Sequence, residues 1–465
     1  MKKEIFDVIV IGSGFAGLRA AIKAAESGAK VLVLEKMKTL GGNSVISDGG
    51  MAAAGTSFQT TLGIEDSALL MKEDILKSGG KESDPILVET LSTHALAAFD
   101  WAKDVLKVPF RDDVELFGGH AKPRSHSPQG PPSGRPFIVR MEALCHKLDI
   151  DIRKAHYVSD FYYEDGDLAG VKCKAPYRFN QPLPTTESLF IANKGIVIAT
   201  GGFSADVAFR KRYDTRLDET IDTTNKPSAT AEILRLAEKA GAQFKGMDHI
   251  QLAPWTSPEE HGFGDGPLFA DYIALPKGIL INTKTAQRFV NELSDRRKVA
   301  EAILIQNYPV IAIADQTALD QSPRDIKKAL EKNVVRRYDD LASLAKGEKI
   351  TNAAFLKTIE RFNGFVKEGR DLDFVKPISD QTTPIATPPF YAMRIQPKTH
   401  HTMGGLKIDA KARVLDQHNQ PIKKLYAAGE AAGGIHGQSR LGSMAITDCL
   451  VFGAIAGESA AFEAS

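Results

Sequence analysis

The run from Phe6 to Glu35 constrains the fold of this chain more than any other segment. Phe6–Ile11, FDVIVI, is a short apolar run rich in β-branched residues, as expected of a strand buried on both faces of a parallel sheet. It leads into Gly12-Ser13-Gly14-Phe15-Ala16-Gly17, then LRAAIKAAESG, which has helical periodicity and a stop at Gly28. A second apolar run, Lys30–Leu34, ends at Glu35. Strand, glycine turn, helix, strand and acid in that order make a dinucleotide-binding βαβ unit. Gly12 allows the tight turn, Gly14 lets backbone reach a pyrophosphate, and Gly17 packs the helix on the strand. Free N–H groups at the helix start face the phosphates, and Glu35 stands at the spacing of a ribose-hydroxyl ligand.

Other segments carry glycine where ordinary core would not. Glu35-Lys36 runs on to Leu40-Gly41-Gly42-Asn43-Ser44 and then Asp48-Gly49-Gly50-Met51. A later strand-like run, Gly195–Ala199, ends in Thr200-Gly201-Gly202. Lys398–Asp409, KTHHTMGGLKID, puts two histidines and a Gly-Gly step before an alternating strand. Unsatisfied imidazoles are costly to bury and Gly-Gly weakens a strand, so this run predicts backbone approaching a ligand beside imidazoles aimed at an anion. Ala427–Asp448, AAGEAAGGIHGQSRLGSMAITD, feeds a predicted final helix from Ser443 to about Ala461. Arg288–Ala300 reads RFVNELSDRRKVA.

Together these runs resemble the fumarate reductase/succinate dehydrogenase flavoprotein family, in its soluble fumarate reductase and 2-enoate reductase branch. The resemblance covers nearly the whole chain. It implies an α/β fold in which a Rossmann-type FAD-binding domain, residues 1–249 and 384–465, is interrupted by a smaller α+β capping domain, residues 250–383. FAD contacts are implied at Gly12, Gly14, Ala16, Gly17, Glu35, Lys36, Gly42, Asn43, Ser44, Gly49, Gly50, Thr200, Gly201, Gly202, Gly429, Glu430, Ser443, Ala445 and Ile446. Asn43 stands where quinone-linked members carry a histidine bonded to the flavin, so FAD is expected to be noncovalent. His400, opening H-x-T-M-G-G, corresponds to a substrate-carboxylate ligand, and Arg440 in GQSRLGSMA to the arginine that clamps the same carboxylate; an Arg fork can meet it bidentately. Arg296 matches the proton donor that closes R-F-V-N-E-x-x-x-R, with Arg297 one residue away. A guanidinium is a very weak acid. It suffices here because charge developing at the α-carbon during hydride transfer makes a very strong base, which a positioned cation also stabilises.

The chain departs from the fumarate pattern at Q-x-H-P-T. Here Gln251-Leu252-Ala253-Pro254-Trp255 puts alanine at the position of the histidine that holds the second carboxylate. The glutamate and arginine of the proton relay fall on Asp271 and Ala274. An unpaired, desolvated carboxylate costs on the order of several kcal/mol. Trp255, Phe263, Phe269 and Tyr272 either pack the cap core or line the substrate; Trp255 and Tyr272 are assigned to substrate binding. The leading reading is a reductase of a substituted monocarboxylic 2-enoate, such as methacrylate or an arylacrylate. The alternatives are a fumarate reductase whose second carboxylate falls to His249, His261 or His401, a ketosteroid-type dehydrogenase, and a non-catalytic flavin electron-transfer subunit.

Composition narrows the partners. Lys+Arg 59 against Asp+Glu 58 gives +1 over 465 residues, a balance that recruits neither nucleic acid nor membrane. Cys145, Cys173 and Cys449 form no haem, cluster or metal motif, so no metal is expected and electrons come from a separate cytochrome, reduced flavin or NAD(P)H system. The N-terminus shows no signal peptide and no run is read as long enough to span a membrane, which suggests a cytoplasmic chain, or a periplasmic one if trimmed. Phe117–Phe137 is too polar for core and is expected to be a binding or mobile surface loop; helices are predicted over Arg324–Arg337 and Asn352–Glu368.

Overall fold

The structure, a computed structural model, describes residues 2–117, 119–322, 324–379 and 382–462. It is mixed α/β and divides into two compact units. The first holds residues 1–215, 226–250 and 401–465; the second holds 216–225 and 251–400.

The first unit is built on an eight-stranded sheet. Its parallel core runs Pro421–Ala427, Glu187–Ile198, Lys2–Ile11, Val31–Leu34 and Asp151–Arg153. The antiparallel hairpin Tyr157–Glu164/Asp167–Lys174 adds to the early part of Glu187–Ile198, and Arg413–Leu415 closes the other edge. Val8, Ile9, Val10, Val31, Leu32, Val33, Ile196 and Val197 are all buried, as strands covered on both faces require.

Against the expectation from sequence, Met444–Phe462 is long and apolar enough, by length and composition, to cross a membrane. Here it is a core helix of the first unit, apolar on nearly every side and mostly buried. Gly453 and Gly457 let it close on the helix Phe15–Glu26, since a Cβ at either would overlap backbone of Ala16 or Ala20. The Phe117–Phe137 run, expected as a binding or mobile surface loop, is partly buried in the first unit; Gly118 lies outside the described residues. Arg124 is fully buried, with Asp66 at 2.8 Å and Asp74 at 2.9 Å, so the loop's charge is neutralised inside the unit. His126 is buried against Phe99 at 4.4 Å, and that burial holds its imidazole down to about 4.

The second unit centres on a four-stranded antiparallel sheet, ordered Ile279–Asn282, Val310–Asp315, Phe390–Ile395, Val335–Tyr338. Phe390–Ile395 pairs on both sides, so this strand belongs with the second unit, not with residues 401–465. Side chains alternate between faces with the period of two that a strand imposes. Ile279, Ile281, Ile311, Ile313 and Ala392 meet the helix Asn352–Glu368 through Phe355, Ile359 and Phe362. Leu280, Ala312, Ala314, Met393 and Val335 meet Ala253, Trp255, Phe269, Ile273, Val299 and Ile303 on the other face. The single helix expected over Arg324–Arg337 is instead a short helix, Lys327–Glu331, followed by the strand Val335–Tyr338. Asn333, at φ 56°, ends the helix, and the β-branched pair Val334-Val335 then enters the sheet.

Candidate functional site

In the first unit the strand register gathers the glycine motifs. Ile11 lies beside both Leu34 and Ile198, and Ile198 beside Ala427. The residues that follow, Gly12, Glu35, Thr200 and Gly429, therefore emerge together at the carboxyl edge of the sheet, where parallel α/β sheets bind ligands. Gly12, at φ 105°, has backbone of Ala199 and Thr200 where a Cβ would stand. Glu35 is buried and accepts from Ser13 N at 3.2 Å, Ser13 Oγ at 2.6 Å and Met37 N at 2.7 Å. Ser13 Oγ accepts in turn from Gly41 N at 3.1 Å, tying the two glycine loops together.

These residues fit FAD. Gly14 caps the helix Phe15–Glu26 without a side chain, so N–H groups of its first turn remain for phosphate oxygens, while Phe15 N donates to Ser44 Oγ at 3.0 Å. Gly42 and Gly201, at φ 45° and 77°, take the left-handed backbone that glycine allows and have no atom within 4 Å of the point where a Cβ would stand. Asn43 Oδ1 accepts from Lys226 N at 2.8 Å. Lys36 is turned to Thr230 at 2.7 Å and Glu232 at 3.2 Å. Gly50 and Ser443 adjoin, Ser443 Oγ lies 2.6 Å from Ser125 Oγ, and Gly49 backs onto Ser133. Ala445 and Ile446 sit in the first turn of the core helix, and Ala16 lies against Gly429.

Next to that edge, still in the first unit, Glu430 accepts from Thr402 N at 2.9 Å and Thr402 Oγ1 at 3.2 Å. A Cβ on Gly202 would overlap both partners, which explains that glycine. Desolvation pushes the Glu430 carboxyl above its usual range, opposed by the Thr402 donors and by the nearby charge of Arg440. His401 Nδ1 stands 3.6 Å from Glu430, its ring 6.0 Å from that of His436, whose Nε2 is 3.2 Å from Asp448. Arg440 is buried, with Nη1 donating to Leu441 O at 3.0 Å. The Gly404-Gly405 step has a different cause from the one its sequence suggests. A Cβ on either would strike protein backbone, Gly246–Met247 or Ala431–Ala432, so this pair serves chain-to-chain packing in a small sheet.

In the second unit, His400 and Arg296 share a neighbour. His400 Nδ1 is 2.8 Å from Thr224 Oγ1, and its carbonyl accepts from Asn225 Nδ2 at 2.9 Å. The Trp255 ring meets the His400 ring edge-on, with centroids 6.1 Å apart at 72°. The Arg296 guanidinium lies 5.2 Å over the same indole. Arg296 opens the helix Arg296–Leu304, whose cap Asp295 accepts from Arg297 N; the Arg297 side chain is exposed. Ala253 and Phe269 are fully buried in the core below. Tyr272 is half-buried with the Arg324 guanidinium 4.2 Å over its ring; Asp271, Tyr272 and the buried Ala274 share one π-helical turn, Ala270–Ala274. Phe263 is exposed, as is His261, 3.7 Å from Asp222. His249, in the first unit, adjoins Asp248 at 3.8 Å.

The FAD binding domain family matches residues 7–446. Fumarate reductase (cytochrome) of Shewanella frigidimarina is 35% identical over 460 residues, 98% of this chain and 77% of that protein. The acrylate reductase flavoprotein subunit of Shewanella woodyi is 35% identical over 97% of this chain and 90% of its own length. The open conformation of a flavocytochrome c3 fumarate reductase superposes with a TM-score of 0.84 at 30% identity, over 98% of this chain and 78% of that one. This chain belongs to the fumarate reductase/succinate dehydrogenase flavoprotein family. As a member it is an FAD-dependent oxidoreductase acting on CH–CH groups. A urocanate reductase of Eggerthella lenta, 34% identical over 98% of this chain and 74% of that protein, extends the range of relatives to a third unsaturated acid.

Several residues that hold this flavoprotein's site were not singled out from sequence. Thr224 and Asn225 sit in a polar run, DTTNK, with no period or spacing to mark them. Ser13 and Thr402 lie inside motifs already noted, but their partners, Glu35 and Glu430, are 22 and 28 positions away. The one available signal was alternation. In a strand, His400 and His401 must face opposite sides, so one imidazole alone serves each face.

Proposed function

We propose that the enzyme reduces the C=C bond of a monocarboxylic 2-enoate, with the second unit serving as its capping domain. Bound noncovalently in the first unit and reloaded by a separate electron donor, FAD would supply the hydride that the β-carbon receives. His400 binds the substrate carboxylate, and Arg440 adds a guanidinium to carboxylate recognition. Arg296 delivers a proton to the α-carbon, where its charge also stabilises the developing carbanion.

The observation that carries this reading is the cluster around Trp255. One indole supports both His400 and Arg296, while Ala253, at the position where the resemblance expects an imidazole, is packed into the core at 0% exposure. Arg297 has its side chain exposed and its backbone committed to the Asp295 cap, which favours Arg296 as the donor. The relatives' activities, on acrylate and urocanate as well as fumarate, are in keeping with a site whose second anion pocket varies.

Arg296→Ala tests the assignment. It is expected to lose acrylate reduction by orders of magnitude while retaining FAD and its reduction by dithionite, since loading the flavin does not use the acid. Near-normal turnover in Arg296→Ala, with the loss falling on Arg297→Ala, would move the donor by one residue.

A further inference from the structure

We propose that Trp255 is the positioning residue of this site, holding the proton donor and the carboxylate ligand in one arrangement. This rests on the roles given above to Arg296 and His400. The guanidinium of Arg296 lies 5.2 Å over the indole, within the ~6 Å reach of a cation–π contact, and His400 meets the same indole edge-on at 6.1 Å. The indole itself cannot drift. It is 8% exposed and packs with Ala253, Phe269, Ile273 and Val299 on one face of the antiparallel sheet.

Arg296 is the first residue of the helix Arg296–Leu304, followed by Arg297 and Lys298, so three cations stand at the positive end of a helix dipole beside the Asp295 cap. Its side chain is also long and loses rotamer freedom when fixed. An indole face counters both terms, because its negative quadrupole attracts the guanidinium and a large flat surface restricts its torsions. A proton donor misplaced by about 1 Å forfeits much of its rate, so the contact acts on kcat through Arg296. The edge contact acts on KM through His400.

The test is steady-state kinetics of FAD-loaded Trp255→Leu and Trp255→Phe on acrylate and methacrylate, with the solvent isotope effect on kcat. Trp255→Leu is expected to lower kcat on acrylate about tenfold or more and to raise the solvent isotope effect, as proton delivery becomes limiting. Trp255→Phe, which keeps a smaller face, should recover most of that loss, with FAD content and dithionite reduction unchanged. If Trp255→Leu does not fold, Trp255→Phe decides, and must show a lower kcat with a larger isotope effect than wild type. Unchanged kcat and isotope effect in Trp255→Phe and Trp255→Leu, while Arg296→Ala is inactive, would overturn the positioning role and leave the donor standing. Full activity in Arg296→Ala would instead remove the reading beneath it.

Discussion

Replacing Thr224 by valine removes one oxygen and leaves the surrounding backbone in place, because Thr224 N still donates to Thr399 O at 2.9 Å. The hydroxyl it deletes lies 2.8 Å from His400 Nδ1 and 3.4 Å from Thr399 O. Either atom of the shorter contact can be the donor; the carboxylate-binding role proposed for His400 requires that the Thr224 hydroxyl donates to Nδ1, so that the ring carries its proton on Nε2. That tautomer presents an N–H donor away from Thr224, as a carboxylate ligand must. Valine leaves Nδ1 beside a methyl group and frees the ring to adopt the other tautomer, which has no donor on Nε2. A hydrogen bond of this kind contributes about 0.5–1.5 kcal/mol, which corresponds to about 2- to 12-fold in kcat/KM. The loss should appear mainly in KM, because the ground-state carboxylate is bound as well as the transition state. The assay follows oxidation of reduced viologen with acrylate as acceptor, after equalising FAD content. A kcat/KM within a factor of two of wild type, or a loss confined to kcat, would refute the claim that Thr224 sets the His400 donor.

Two further outcomes follow from the structure. With Asn43 engaging Lys226 N and no histidine at that position, acid precipitation should release the yellow chromophore entirely to the supernatant; flavin retained in the pellet would refute noncovalent binding. Burial lowers the His126 imidazole to about 4 from an ordinary 6.5, so the unfolded chain takes up the proton first and stability falls as pH drops from about 6.5 to 4. The loss approaches ~3 kcal/mol. Urea melts of His126→Gln should show a shallower fall over that window, and parallel pH curves for variant and wild type would refute the assignment.

What the sequence made legible was local. The βαβ unit could be read because its signals, β-branched run, glycine turn and closing acid, lie within thirty residues, and the register then carries Gly12, Glu35, Thr200 and Gly429 to one edge. Asn352–Glu368 is legible to the residue because its apolar stripe repeats with helical period. Features set by distant partners were misread or missed. Arg324–Arg337 looks helical by composition, yet Val335–Tyr338 pair with the strand Phe390–Ile395, far along the chain. Gly404 and Gly405 look like ligand-facing glycines and are explained by backbone from residues 246–247 and 431–432. The final helix is legible almost to the residue, but its membrane-like apolar length is not, because Thr447 and Asp448 interrupt the run although both are buried. Arg296, His400 and Trp255 are each marked in the sequence; that one indole supports the other two is not, since 41 and 145 positions separate them from it.

The central claim is that this flavoprotein keeps one carboxylate site and has given up the other. The direct measurement is kcat/KM of the wild-type enzyme on acrylate, methacrylate and fumarate under one donor, with Ala253→His alongside. A charged group left without its partner loses about 1.5–3 kcal/mol, so the monocarboxylates should exceed fumarate by about 10- to 150-fold. Ala253→His should narrow that gap by raising the fumarate value. Equal efficiency on fumarate and acrylate in the wild-type enzyme would contradict the account, and would mean that a group other than residue 253 binds the second carboxylate.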